Sequence, residues 1–292
     1  MHRVDGFLDL KDYTKDADSY YRDFIQIKDK KYFCKTTNNP YHELICSEIA
    51  NMLGVNCVQY DLGLFKGYKG VISECYRKDD ATYISGYEVL EKFYTEKKEF
   101  VNEMGLANFD WRENWEGPYY IHMNNLEIIW PSLFYLYCKY PEAQLQKCVN
   151  DLVLQFILMI LTGQYDRGAY QWELEITEEA ISVVPMFDNE ASFHLVNAST
   201  GMSTSFADCE QSPSVVLKEF LTISSSEYVD LFLEKFNLLT EDAFIKIIHA
   251  VEHKIMAAIP LDVCDNLLTN FKINRTNIEK VLKELNINNG RR

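Results

Sequence analysis

The stretch LVLQFILMIL, Leu152 to Leu161, holds a single polar residue, Gln155. A helix that is apolar on all its faces has to be surrounded by protein, so the chain must assemble a lobe around this segment. The run falls short of the roughly 20 residues that cross a bilayer, as does LEIIWPSLFYLYC, Leu126 to Cys138, and both are expected as buried helices. The chemistry changes abruptly afterwards. TGQYDRGAYQWEL, Thr162 to Leu174, is a polar loop containing Asp-Arg-Gly, and a strand-like VVPMFDNE follows it with Asp188 at its end. A turn that only reverses the chain does not require an Asp at both places.

With 292 residues, 47% of them hydrophobic, and 19 Tyr and 17 Phe, the chain can bury two lobes and is not expected to be disordered. A net charge of -15 argues against a nucleic-acid partner, because phosphate backbones are held by Lys and Arg patches. The N-terminal MHRVDGFLDLKDYTKD has no uninterrupted apolar core or small-residue cleavage site. The eight Cys form no C-x-x-C pair, as expected of reduced thiols in a cytoplasmic protein without a membrane partner.

The first third alternates strand and helix signals. RDFIQIKDKKYFCK reads as a hairpin about KDKK. PYHELICSEIANMLG carries Leu44, Ile45, Ile49, Met52 and Leu53 on one helical face, with Pro40 near its start and Gly54 at its end. CVQYDLGLFK and KGVISECYR read as two further strands. From about Tyr83 helical spacing dominates, with Pro131 and Pro141 expected to start or break segments. YQWELEI and ISVVPMF form the exception, a hairpin about TEEA, and VVLKEFLT, EYVDLFLEKF, EDAFIKIIHAVEHKIM and NIEKVLKEL are helical. The expected architecture is α+β and bilobal: a sheet-plus-helix lobe over residues 1–80 and a mostly helical lobe over 81–292.

Phosphoryl transfer from a nucleotide requires a cation on the phosphates, a metal with oxygen ligands, and a carboxylate that orients the acceptor. Lys35 ends the strand KKYFCK, and Glu43 in the next helix is placed to pair with it. Glu48 competes for that role; five residues on, it lies about 140° around the helix, so only one of the two can face Lys35. The hairpin brings its outer ends together, so Asp166, Gln171 and Asp188 can converge, and an Asp–amide–Asp set suits a hard cation such as Mg²⁺.

These pieces, in this order, resemble the HipA-like kinases and their short CtkA-type relatives. KYFCKTTNNPYHELICSEIANMLGV is similar to the family's strand Lys and following helix, with Glu43, Ala50 and Gly54 in register. NCVQYDLGLFKGYKGVISECY resembles the next two strands and hinge, TGQYDRGAYQWEL the catalytic loop, and VVPMFDNEASF the strand ending in a metal-binding Asp. The resemblance implies a bilobal protein-kinase-like fold, with ATP and Mg²⁺ as cofactors and Ser or Thr of a protein substrate as acceptor. By residue, it implies Lys35 on the phosphates, oriented by Glu43, and the backbone of Ile72, Ser73, Glu74 and Cys75 on the adenine. Asp166 would be the acceptor-orienting base, and Gln171 and Asp188 the metal ligands. Ser19 aligns near the family's autophosphorylated serine.

The sequence also departs from the family. Gly168 stands where a His is usual, Gln171 where an Asn is usual, and no glycine lies between Gly6 and Gly54 to form a phosphate loop. These departures keep a second reading open, a pseudokinase that binds or regulates without phosphoryl transfer. HAVEH, His249 to His253, has the spacing of an inverted zinc motif but no partner motif, and reads as a partly exposed helical pair. Trp111, Trp115 and Tyr119 lie among acidic residues and read as a packed loop.

Overall fold

The computed structural model describes residues 3–10, 14–15, 22–27, 29–65, 67–103, 126–164, 168–193, 217–218, 220–222 and 224–287. Ser19, Trp111, Trp115, Tyr119 and Asp166 lie outside the described residues. The first third contributes β1 (Arg3–Val4), β2 (Phe7–Leu10), β3 (Thr14–Lys15), β4 (Arg22–Ile27), β5 (Lys30–Thr36), helix α1 (Pro40–Leu53), β6 (Asp61–Phe65) and β7 (Tyr68–Glu74). These strands form one sheet in the order β1-β2-β6-β7-β5-β4-β3. All neighbours are antiparallel except β2 and β6. The two hairpins form where alternation and turn residues place them; the three N-terminal strands carry no comparable signal and add to the sheet by pairing. A bidentate ion pair from Arg3 to Asp61, at 2.9 and 2.6 Å, braces that added edge.

Helix α1 begins with Pro40 in its first turn and ends on Gly54 at φ 71°, a left-handed cap that a residue with a Cβ adopts only with strain. Its Leu44, Ile45, Ile49 and Leu53 are fully buried among the sheet and the helical lobe. Lys35 pairs with Val71 of β7 and Arg22 of β4. At Gly70 a Cβ would lie 2.1 Å from the Lys35 carbonyl oxygen, so glycine is what lets β7 lie against the backbone that carries this lysine.

Among the described residues, the rest of the chain contributes β8 (Thr82–Ser85), α2 (Gly86–Glu96), α3 (Lys98–Glu103), α4 (Leu126–Leu136), α5 (Glu142–Thr162), a short 3-10 turn (Ala169–Gln171), β9 (Glu173–Ile176), β10 (Ile181–Val183), α6 (Ser226–Leu238), α7 (Glu241–Ile255) and α8 (Leu261–Glu284). Strands β8, β9 and β10 form a second antiparallel sheet. Helix α5 contains the apolar run and extends it to 21 residues, long and apolar enough to cross a bilayer by length and composition. Yet 67% of that window is buried inside the protein, which makes it the central core helix. The lone polar residue of the apolar run has a role: Gln155, itself buried, donates from Nε2 to the Val184 carbonyl at 2.9 Å, tying the helix to the segment that leads to Asp188.

Two sequence expectations are corrected. Pro131 neither starts nor breaks a helix but sits inside α4. Its missing N–H affects only the Glu127 carbonyl in the first turn, a cost of about 3 kcal/mol. Burial of Ile128, Ile129 and Leu133 contributes about 1.5–3 kcal/mol each and outweighs it. The C-terminal helix is also far longer than NIEKVLKEL: α8 starts at Leu261 and buries only a narrow stripe of Leu267, Phe271, Asn274, Ile278, Val281 and Leu282.

Candidate active site

The Lys35 side chain runs inward from β5 and meets three carboxylates. Its Nζ donates to Asp188 Oδ1 in a very short contact, lies 3.0 Å from Glu190 Oε2, and reaches Glu43 Oε1 at 3.3 Å. The second oxygen of Glu43 accepts the Asn189 N–H at 2.7 Å, so this fully buried carboxylate joins α1 to the turn after Asp188. Glu48, the competing candidate, instead pairs with Lys254 of α7 at 2.7 Å. The 140° between them is resolved by docking, with one glutamate facing the sheet and the other the helical lobe.

Asp188 is held from every side. Met186 pairs with the segment after α1: its N–H donates to the Asn56 carbonyl and its own carbonyl accepts the Val58 N–H, both at 2.8 Å. The Asp188 N–H donates to Tyr60 Oη at 3.3 Å, and its carbonyl accepts Gln164 Nε2 at 2.8 Å. Beyond it, His42 Nδ1 lies 3.1 Å from the Glu190 carbonyl, and the Phe193 N–H donates to the Thr162 carbonyl at 2.7 Å. Asp188 itself has φ 61°. A non-glycine residue in this left-handed region is strained, and such strain collects at functional sites.

Asp166 lies outside the described residues, so the loop is known from its two flanks. On one side, Gln164 makes the contact with Asp188 noted above. On the other, the Gln171 Oε1 accepts the Gly168 N–H, so the amide oxygen expected on a metal is turned back onto its own loop. The next residue, Trp172, is buried against α2, and a Cβ at Gly86 would lie 2.0 Å from its ring; Tyr170 stacks on Tyr87 at 4.4 Å. Helix α2 thus seats the far flank of this loop.

Ile72 and Ser73 are buried in β7, and the Cys75 N–H donates to the Lys31 carbonyl at 3.0 Å. The Glu74 side chain is exposed and paired with Lys30 at 2.9 Å. Just beyond, Tyr76 stacks against Phe187, and Arg77 binds Glu173 at 2.8 and 2.9 Å, fastening this connection to β9. The HAVEH pair sits on exposed α7 surface: His249 meets Glu252, whose other oxygen accepts the Ile259 N–H at 3.1 Å. Two site residues were not read from the sequence. Glu190 had a signal, a second carboxylate two residues after Asp188, whereas nothing local marked Gln164.

Burial acts on the Lys35 ammonium to lower its pKa, but Glu43, Asp188 and Glu190 together outweigh it and the lysine stays charged. Burial pushes the Glu43 carboxyl from 4.5 up to about 7, against the opposing pull of Lys35 and the Asn189 N–H. Because the folded-state pKa is the higher one, the stability gained from this proton is complete below pH 4.5 and is lost as pH rises through about 7. The loss amounts to roughly 3 kcal/mol. Glu43→Gln retains an acceptor for the Asn189 N–H and has no proton to release. Urea unfolding from about pH 5 to about pH 8 should therefore show falling stability in the wild type and a flatter profile in the variant.

Neither family models nor curated proteins match this sequence. Among solved structures, the chain is similar to the crystal structure of the Helicobacter pylori proinflammatory kinase CtkA, with a TM-score of 0.63 and 14% identity over 96% of this chain and 100% of that one. It is also similar to HipA of the Shewanella oneidensis MR-1 toxin–antitoxin system, solved with HipB and operator DNA, with a TM-score of 0.53 and 13% identity over 91% of this chain and 63% of that one. Identity this low carries fold rather than chemistry. A mixed sheet with α1 against it, a largely helical remainder, and these two likenesses along nearly the whole chain make this a protein-kinase-like fold of the HipA and CtkA type.

Proposed function

We propose that the chain is a HipA-like kinase that uses ATP and Mg²⁺ to phosphorylate Ser or Thr on a protein substrate in the cytoplasm. The observation that carries this reading is the Lys35 ammonium, buried between Glu43 of α1 and Asp188 in the segment that follows β10. Such a lysine is pre-oriented to hold phosphate oxygens, and Glu43 keeps it aimed. The backbone of Ile72 to Cys75 would meet the adenine, and Asp166 would orient the acceptor hydroxyl. The donors at Asp188 are carboxylate oxygens, which fits Mg²⁺. Bound there, Mg²⁺ would neutralise charge on the transferred phosphoryl group. Asp188 is held ready by the contacts to Tyr60 and Gln164, so its carboxylate has little freedom to lose on binding.

Transfer of radiolabelled phosphate from ATP to the chain itself or to an added protein tests the reading, and Asp166→Ala is expected to abolish it. No transfer with either Mg²⁺ or Mn²⁺ would refute it. A second reading, a pseudokinase without phosphoryl transfer, is favoured by the Gln171 amide being bonded to Gly168. Thermal shift separates the two, because a ligand that binds only the folded state stabilises by mass action. An ATP shift that requires metal favours the kinase; an absent or metal-independent shift favours the pseudokinase.

A further inference from the structure

If the chain is a kinase, one feature of its metal site remains unaccounted for. The residue aligned with the family's second metal ligand, Gln171, has its amide oxygen on the Gly168 N–H. Meanwhile a carboxylate with no assigned role, Glu190, reaches the same ammonium as Asp188. We infer that Glu190, rather than Gln171, is the second protein ligand of the nucleotide-bound divalent metal, alongside Asp188; this rests on the kinase reading.

Three observations support it. First, Asp188 Oδ1 and Glu190 Oε2 both contact Lys35 Nζ, so two hard oxygen donors from one Asp-Asn-Glu tripeptide already flank a single cationic position. Glu43 is set apart by its complete burial and by the Asn189 N–H on its second oxygen. Second, Lys35 Nζ meets three carboxylates, those of Glu43, Asp188 and Glu190, so the position is lined by more oxygen acceptors than one ammonium needs. Third, exposure is graded outward: the side chain of Glu43 is 0% exposed, that of Asp188 10% and that of Glu190 35%. Glu190 is therefore the carboxylate on the open side, where a metal–nucleotide complex would enter. Its backbone is fixed by His42 and by the Asn189–Ser192 turn, whose Ser192 N–H donates to the Asn189 carbonyl at 3.0 Å. A backbone held in this way orients the carboxylate it carries.

The test uses the full chain with Mn²⁺ as probe and a non-hydrolysable ATP analogue, reading Mn²⁺ binding by electron paramagnetic resonance and metal-free nucleotide binding by calorimetry. Glu190→Gln is expected to weaken Mn²⁺ binding in the nucleotide complex by at least about tenfold, while Gln171→Ala changes it by less than about threefold. Metal-free nucleotide binding should be unchanged or tighter in Glu190→Gln, because Lys35 loses a competing partner. If Glu190→Gln keeps its Mn²⁺ affinity, or Gln171→Ala loses as much, Glu190 only balances charge and the inference fails while the kinase reading stands. Wild-type chain that binds neither nucleotide nor Mn²⁺ overturns both. A thermal melt of each variant shows whether it is folded, and Glu190→Asp should recover part of the Mn²⁺ affinity only if a carboxylate is the ligand.

Discussion

Lys35→Met is expected to destabilise the chain by about 3–5 kcal/mol at neutral pH and to abolish phosphoryl transfer. Methionine replaces the aliphatic stem, so little packing is lost; what disappears is the only cation the structure places against Glu43, Asp188 and Glu190 among the described residues. Leaving a buried carboxylate without its partner is far more costly than the pair's own net contribution. The penalty should fall towards the lower end of that range, because Glu43 already holds its proton up to about pH 7 and without Lys35 would hold it higher still. Asp188 then dominates the loss. The defect should shrink at about pH 5, and Lys35→Met combined with Glu43→Gln should be more stable than the sum of the single variants predicts. Urea unfolding at two pH values checks this. Equal stability of Lys35→Met and wild type at neutral pH would mean that the carboxylates are not held ionised by the lysine.

Asp188→Asn should do the opposite: keep the fold and remove the chemistry. Asparagine is among the few residues that tolerate left-handed φ, so the 61° backbone is retained without new strain. The main-chain bonds to Tyr60 and Gln164 do not depend on the side-chain charge. Lys35 also keeps Glu43 and Glu190 as partners. Stability is therefore expected within about 1 kcal/mol of wild type, with transfer lowered on the order of 10²–10³-fold, the size of losing one charge-stabilising group at a reacting centre. Asp188→Ala, by contrast, places a Cβ-only residue at positive φ and should also cost about 1–2 kcal/mol. A thermal melt beside the phosphate-transfer rate distinguishes the two variants. Full activity in Asp188→Asn would remove this residue from the site.

Much of the sheet was legible because its signals are local. The hairpin about KDKK, the strands before and after Gly67, and α1 between Pro40 and Gly54 each announce themselves by alternation, helical spacing or a terminating residue. The N-terminal strands were not legible: β1 is two residues long and β2 four, and the pairing of β2 with β6 depends on a partner more than fifty positions away. Most of α8 was hidden for another reason, since a helix that buries one narrow stripe and exposes the rest reads as polar sequence.

The candidate site divides along the same line. By itself the sequence determined that a lysine lies near the end of a strand and that glutamates follow on a helix, because residue type and short-range periodicity are local properties; the aspartate expected to close the returning strand lies instead beyond β10, which ends at Val183. It also determined that LVLQFILMIL must be buried. Only the tertiary structure decided that Glu43 rather than Glu48 meets Lys35, that Glu190 joins Asp188 on the same ammonium, and that Gln171 turns towards Gly168. Those choices depend on how α1 docks between the sheet and α7, and on how the segment from Asp188 to Phe193 is held by Glu43 and His42 of α1 on one side and by Thr162 and Gln164 on the other. Which side chain faces a charge is set by long-range packing and desolvation, and neither is written in the spacing of neighbouring residues.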